Sequence, residues 1–454
     1  MPLLKYQRNR LIIFAAVLLL GGVVFLMMQG VLPGIQDDRG SGGPPPVTLE
    51  FWNVFEDEEV YSEFITDFKV LNPNVTINYT KVDYSEYRQK LTEAFANSNP
   101  PDVFSIHNTW LPLQKARISV APGSLNSVAQ FKEIFPKVVE FDFTRETESG
   151  GFLVYALPLS IETLGIFYNK DYFDATNVVS PPKTWEEILD YVKLFTQLDS
   201  GGDISLSGIS LGSADNINRS TDILSLLMMQ SGVRMNNELL TEATFDDDIV
   251  IGEGEKEEKF SPGKDALEFY LAFSDNTKSV YSWNKDMPYS IDAFVEGKSA
   301  MMINYPHHIQ TVKSKSPHLN FAVAGAPQLR DRKEDVNYAN YWGLTVSDGS
   351  LHAKVAWEFI DFMLKPENLK RYLEKSGLPT SRRDLILWQQ KDDKLKHFAN
   401  QILSARSWYQ GDSDVVEDIL HDMIQSTMVG EVLPEEALEE AAARVTLTIQ
   451  KIIE

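Results

Sequence analysis

Between Val47 and Ile106 the chain alternates strand and helix with short connections, and that order leaves few folds open. Val47–Trp52, "VTLEFW", reads as a strand. "EDEEVYSEFITDFKVLNP" follows, with acids in its first turn and Val60, Phe64, Phe68 and Leu71 on one helical face until Pro73 stops it. "VTINYT" alternates as a second strand. "YSEYRQKLTEAFANS" regains the helical period through Tyr87, Leu91 and Phe95, Pro100-Pro101 ends it, and "DVFSI" is a third strand. A β-α-β-α-β order of this kind implies right-handed crossovers and a mostly parallel sheet. Ligands of open α/β sheets bind beyond the carboxyl ends of the strands. That rule directs attention to two loops, Asn53–Asp57 and His107–Trp110.

Further helices recur downstream. "PPKTWEEILDYVKLF" has Thr184 at the N-cap and Glu187 in the capping-box position, with Ile188, Leu189, Val192 and Phe195 as its apolar stripe. "SIDAFVEGKSAMMINY" reads as a helix ended by Gly297 and a strand from Ala300 to Tyr305, and "AKVAWEFIDFMLKPE" as an amphipathic helix stopped before Pro366. Glu238–Lys264 is acidic and poor in apolar residues outside Ile249–Ile251, which suggests a solvated surface insertion. No internal repeat of fixed period is present, and 454 residues suffice for two or three domains.

The N-terminus carries a separate signal. Lys5, Arg8 and Arg10 precede the unbroken apolar run Leu11–Met28. As a helix it would span about 27 Å, close to the roughly 30 Å of a bilayer core. Residues 1–10 are expected in the cytoplasm, 11–28 as an anchor or a signal, and 29–46, rich in Gly and Pro, as a tether to a folded part outside the membrane. The length of the run and the lack of an A-x-A-like site favour an uncleaved single-pass anchor over a cleaved signal that would release the protein. A net charge of −23 without a basic tract beyond the N-terminus argues against a nucleic-acid partner. The absence of cysteine removes thiolate metal sites, cysteine nucleophiles and disulfides.

Several candidate chemistries lack their context. "GISLG", residues 208–212, has the G-x-S-x-G spacing, yet "SADNINRS" separates it from the next helical stretch, so Ser210 has no strand-turn-helix elbow. His307-His308 has no metal-ligand spacing, and Asp246-Asp247-Asp248 lacks the pattern of a calcium loop; no metal or cofactor is expected. Aromatic residues are more informative. Trp52, Trp110, Tyr305, Trp342, Trp408 and Tyr409 fall at strand ends or in loops, where rings beside carboxylates and amides suit the faces and hydroxyls of sugars. Trp185 and Trp357, by contrast, sit in helices and read as packing. "YALPLSIETLGIFYNKDYF", residues 155–173, sets the carboxylate of Glu162 among apolar neighbours, where it needs a partner.

That segment with "PPKTWEEI" resembles the family 1 extracellular solute-binding proteins of ABC importers, the maltose-binding-protein-like sugar binders. "LEFWNVFEDEE", "NPPDVFSIHNTW", "AFVEGKSAMMINYPHHI", "AGAPQLR", "YWGLTVS", "AKVAWEFIDFMLKPE", "SGLPTSRRDL" and "GEVLPEEALEEAAARV" match in the family's order over roughly residues 47–448. The resemblance implies an α/β, two-lobed periplasmic-binding-protein fold of type II, each lobe a mostly parallel sheet flanked by helices, with the ligand in the cleft. Residues 47–159 and 327–346 would form the first lobe, and 160–326 and 347–454 the second. Hinge segments are expected near 158–165 and 326–345. It also implies a monomeric, non-catalytic receptor that delivers a sugar or related solute to an ABC permease.

Under the resemblance Glu162 falls where a glutamate faces sugar hydroxyls, and Asn53–Glu56 and His107–Trp110 fall in the first two binding loops. The family's stacking tryptophan after "IN-G-P" is replaced by His307, with Tyr305 nearby, and Trp408 lies close to a second stacking position without clear register. The candidate ligand-binding residues are therefore Trp52, Asn53, Glu56, His107, Asn108, Thr109, Trp110, Glu162, Tyr305, His307, Trp342 and Trp408. The substitutions leave the solute open among a glycan, a polyol and glycerol phosphate. Two other roles would use the same chain differently: a membrane-tethered solute sensor, and an exported serine hydrolase built on Ser210.

Overall fold

The structure is a computed structural model that describes residues 44–123, 127–148, 150–251, 258–331 and 333–453. The expected segments 1–10 and 11–28, and most of 29–46, lie outside the described residues. Among those described, no helix is long and apolar enough to cross a membrane.

β1 (Val47–Asn53), α1 (Glu58–Leu71), β2 (Val75–Lys81), α2 (Tyr84–Ala96) and β3 (Val103–His107) follow one another in the expected order. β2, β1 and β3 pair in parallel, and α1 buries Tyr61, Phe64 and Phe68 against them. β4 (Ile118–Ser119), α3 (Lys137–Phe143) and β5 (Leu157–Pro158) complete the first pass through this lobe. The chain then leaves it through β6 (Glu162–Thr163) and enters the second lobe as β7 (Gly165–Asn169).

The second lobe carries α4 (Trp185–Phe195), α5 (Ser220–Gln230), β8 (Met301–Asn304), α6 (His308–Lys315) and β9 (Phe321–Gly325). Its three-stranded sheet has the order β8-β7-β9, and β7 is antiparallel to both neighbours. The expectation of a mostly parallel sheet in each lobe therefore fails here. β8, α6 and β9 form a β-α-β unit, but β7 arrives from the other lobe and inserts between its two strands, so every hydrogen-bonded pair is antiparallel. Side chains alternate across β7, with Ile166 in one apolar cluster and Phe167 in another on the opposite face.

The chain returns through β10 (Asn337–Asn340) to β11 (Trp342–Ser347), which joins the first sheet antiparallel to β3, β4 and β5. α7 (Ala353–Leu364) and α8 (Pro366–Ser376) come next, followed by β12 (Ala405–Arg406), α9 (Ser413–Met428) and α10 (Pro434–Ile453). β12, β10 and β6 form a small sheet of their own, which ties together three crossings between the lobes.

Assignment of all of 347–454 to the second lobe also needs correction. Trp357, Phe359, Ile360 and Leu373 lie in the same core as Phe51 and Phe68, and the Phe359 ring sits 5.9 Å and 5.3 Å from these two. α7 and α8 thus cover the first sheet, whereas α9 and α10 pack with α5 in the second core. An apolar stripe announces that a helix is buried without naming the sheet it covers. The expected insertion 238–264 is likewise only partly solvated. Phe245 is fully buried in the second core, and Ile249–Ile251 pairs with Glu258–Phe260.

Candidate functional site

A cavity of about 480 Å³ opens between the lobes at the carboxyl ends of the first sheet's parallel strands. β1 ends at Asn53, so Phe55, Glu56 and Asp57 emerge at its rim. β3 ends at His107 and delivers His107, Thr109 and Trp110 to the wall; β2 ends just before Tyr84, which lines it too. Trp342, the first residue of β11, sits between them. Its ring meets Trp110 at 4.9 Å and Phe55 at 5.5 Å, both edge-on. Phe55 is 52% exposed, an apolar ring left at the mouth of the cavity.

Glu162 lies on the floor in β6, paired with Asn340 of β10. One carboxylate oxygen accepts the His307 amide at 3.0 Å and faces the His307 Nδ1 at 2.9 Å, so Nδ1 carries the proton. The lone acid of "LSIETLG" is therefore partnered by the residue in the register of the family's stacking tryptophan, and both line the cavity. His107 makes different contacts: its Nδ1 lies 2.7 Å from the Thr109 hydroxyl and its Nε2 3.3 Å from the Asn340 side-chain oxygen. Burial, reinforced by the charge of Arg219, pushes its pKa down to about 3, so the ring is neutral. Burial raises the pKa of Glu56, against hydrogen bonds from Tyr372 and Asn53.

Five of the candidate residues do not line this cavity. Trp52 points away from the face that carries Phe51 and Asn53, because side chains alternate along β1, and packs against the first core. Asn53 is buried, donating to Glu56 and Tyr61 and accepting from Ser105. Asn108 is buried and donates to Asp142. Tyr305 is fully buried, and its hydroxyl donates to Asp222 at 2.8 Å, a contact one layer behind the wall. Trp408 packs in the second core against Phe245, its Nε1 buried without a hydrogen-bond partner among the described residues. Burial of these rings and amides depends on which face of the strand or loop turns inward, which composition does not reveal.

Of the second lobe's wall the sequence points to His307 and misses the rest. Arg219, Thr221 and Asp222 line the cavity at the start of α5, and Gln410, Asp414 and Glu417 at the start of α9. Arg219 sits at φ +62°, in the left-handed region, at the end of the loop that separates Ser210 from α5. None of these carries a usable sequence signal; Tyr84 of the first lobe does, since the strand-end rule applies to β2 as it does to β1 and β3. Asp222 is half-buried, and desolvation raises its pKa against the opposing charge of Arg219. At the mouth, Arg88 of α2 reaches across the lobes to Asp412 at 2.8 Å and to Asp414, with its guanidinium 5.9 Å from the Trp110 ring centre. Ser210 is buried, and its hydroxyl lies 3.0 Å from that of Ser299 rather than beside a histidine.

The chain is similar over most of its length to proteins that bind solutes. It is 22% identical over 435 residues to the sn-glycerol-3-phosphate-binding periplasmic protein UgpB of Escherichia coli (strain K12), covering 87% of this chain and 91% of that protein. Its fold matches the sugar-binding protein MalE of the phytopathogen Xanthomonas citri with a TM-score of 0.70 at 18% identity, covering 89% of this chain and 98% of the other. An ABC transporter solute-binding protein of Thermotoga lettingae bound with α-D-tagatose gives a TM-score of 0.67 at 20% identity, covering 88% and 99%. Residues 63–398 match the family described as bacterial extracellular solute-binding protein, and the chain belongs to that family.

Proposed function

We propose that the protein is the extracytoplasmic receptor of an ABC importer, taking a sugar or oligosaccharide into the interlobe cavity and handing it to a membrane permease. The observation that carries this reading is the lining of the 480 Å³ cavity, where Phe55, Tyr84, Trp110 and Trp342 stand beside the carboxylates of Glu56, Glu162 and Asp222. Rings offer faces to the C–H side of a pyranose, while carboxylates accept from its hydroxyls, and the volume lies within the range of small-molecule sites. The hydrogen-bonding groups come from both lobes and from β6 and β10 between them, so a bound solute would favour the closed form by its differential affinity. The three crossings in the β12-β10-β6 sheet are where rotation would be absorbed. The expected apolar segment 11–28 would hold such a receptor beside its permease and raise its effective concentration there.

The test is thermal-shift screening against sugars, oligosaccharides, polyols and amino acids, followed by small-angle scattering with the ligand found. A ligand that raises the melting temperature by mass action and compacts the particle supports the reading. Binding without compaction would remove the closure mechanism, and turnover of an ester substrate that is lost in Ser210→Ala would replace the receptor with a hydrolase.

A further inference from the structure

The Arg219 guanidinium is a strongly polar group of the cavity wall whose surroundings are unfinished among the described residues. Asp222 and Glu417 flank it, yet among the described residues it makes no hydrogen bond and no ion pair within 4.0 Å. Among the described residues its Nε is buried without a hydrogen-bond partner, and the guanidinium lies 5.9 Å from the centroid of the Tyr305 ring. Glu417 likewise makes no hydrogen bond or ion pair among the described residues, while Asp222 accepts from Tyr305. A donor array and an acceptor therefore border the same cavity without bonding to each other, and Tyr84 and His107 of the first lobe line that cavity with them. A guanidinium can only donate, and an ionised carboxylate can only accept. A hydroxyl does both, so adjacent hydroxyls complete the two groups at once. Phosphate and carboxylate only accept when ionised; they would satisfy Arg219 and leave Asp222 and Glu417 facing a like charge. Six carboxylate residues and two of Lys or Arg border the cavity, which adds to that repulsion.

We propose that Arg219 sets the charge class of the ligand: the cavity takes an uncharged polyhydroxyl compound whose neighbouring hydroxyls bridge the Arg219 guanidinium to the carboxylates of Asp222 and Glu417, and it rejects phosphate esters and uronates. This rests on the receptor reading above. The experiment compares the full-length chain with Arg219→Gln and Arg219→Gly, using maltotriose, mannotriose, D-tagatose, sn-glycerol 3-phosphate and D-glucuronate as probes in thermal-shift and calorimetric titrations. At least one neutral sugar should raise the melting temperature, and neither anionic probe should do so. Both variants should weaken that sugar by about 30-fold or more. Arg219→Gly relieves the left-handed backbone, so its ligand-free melting temperature should equal or exceed that of the parent, which separates lost binding from lost folding. Tighter binding of an anionic probe overturns the charge assignment and leaves the receptor standing. A neutral sugar that binds both variants as well as the parent overturns the role of Arg219 alone. No shift with any probe overturns both readings.

Discussion

An acid among apolar neighbours needs donors, and Glu162 finds two on one residue, the amide and the Nδ1 of His307. The pair joins the floor of the cavity to the segment before α6, so Glu162 both faces the cavity and orients His307. Glu162→Gln keeps an acceptor for His307 but loses the charge; it should fold as the parent does and bind the solute about 10-fold more weakly. Glu162→Ala should weaken binding by about 10- to 100-fold, from the loss of charge-assisted hydrogen bonds. Calorimetric titration with any solute found in the screen checks both, and unchanged affinity in both variants would make Glu162 structural. Arg219 shows what the residue scale conceals. Its left-handed conformation costs on the order of 1–2 kcal/mol for a non-glycine residue, and nothing in "NINRST" announces either that backbone or the cavity it faces.

Among the elements, α4 illustrates local rules at work. Thr184 accepts the Glu187 amide at 3.3 Å, as the capping pattern requires, while the Glu187 carboxylate accepts the Lys183 amide at 2.6 Å instead of that of Thr184. Thr184→Ala should cost about 1 kcal/mol in chemical denaturation without changing ligand affinity, since α4 lies away from the cavity. β7 shows the opposite case. A Cβ on Gly165 would meet the Phe398 ring at 2.5 Å and the Ala324 carbonyl oxygen at 2.7 Å, the latter in the neighbouring strand. Gly165→Ala should therefore destabilise by about 1–3 kcal/mol, measured in the same denaturation series. The glycine is visible in "ETLGIFYN", but the ring that excludes a side chain comes from more than two hundred residues away and could not be read there.

At the scale of the whole molecule, two features join the lobes. Arg88 spans the mouth to Asp412 and Asp414, contacts that must break if the lobes part. Arg88→Gln should enlarge the ligand-free particle in small-angle scattering and weaken solute binding several-fold; an unchanged particle would show that the clasp does not set the closed population. Behind the cavity, Asp142 of α3 accepts from Asn108, from the Tyr341 hydroxyl and from Ser407, and so ties the second and third crossings to the first lobe. Burial pushes its pKa up to about 6, and Glu56, Asp222 and Glu417 are raised in the same direction by the same cause. A group whose folded pKa exceeds the unfolded value near 4 contributes stability that is present below the unfolded value and is lost as pH rises through the folded one. The ligand-free melting temperature should therefore fall from about pH 4 to about pH 7, and Asp142→Asn should flatten part of that slope in calorimetry. A melting temperature that rises over the same interval would contradict this account.

The sequence by itself determined what is local. Period and capping gave the strand-helix alternation of the first lobe, and the carboxyl ends of its strands gave the loops that hold Glu56, His107, Thr109 and Trp110, because these depend on neighbours a few residues apart. The tertiary structure decided what depends on partners far along the chain. It placed α7 and α8 on the first sheet, inserted β7 between β8 and β9, turned Trp52 and Trp408 into the cores, and brought Arg219, Asp222 and Glu417 to face the first lobe's rings. The direction of a strand within a sheet, and the face a side chain presents to a cavity, are set by long-range packing against surfaces that no sequence window contains.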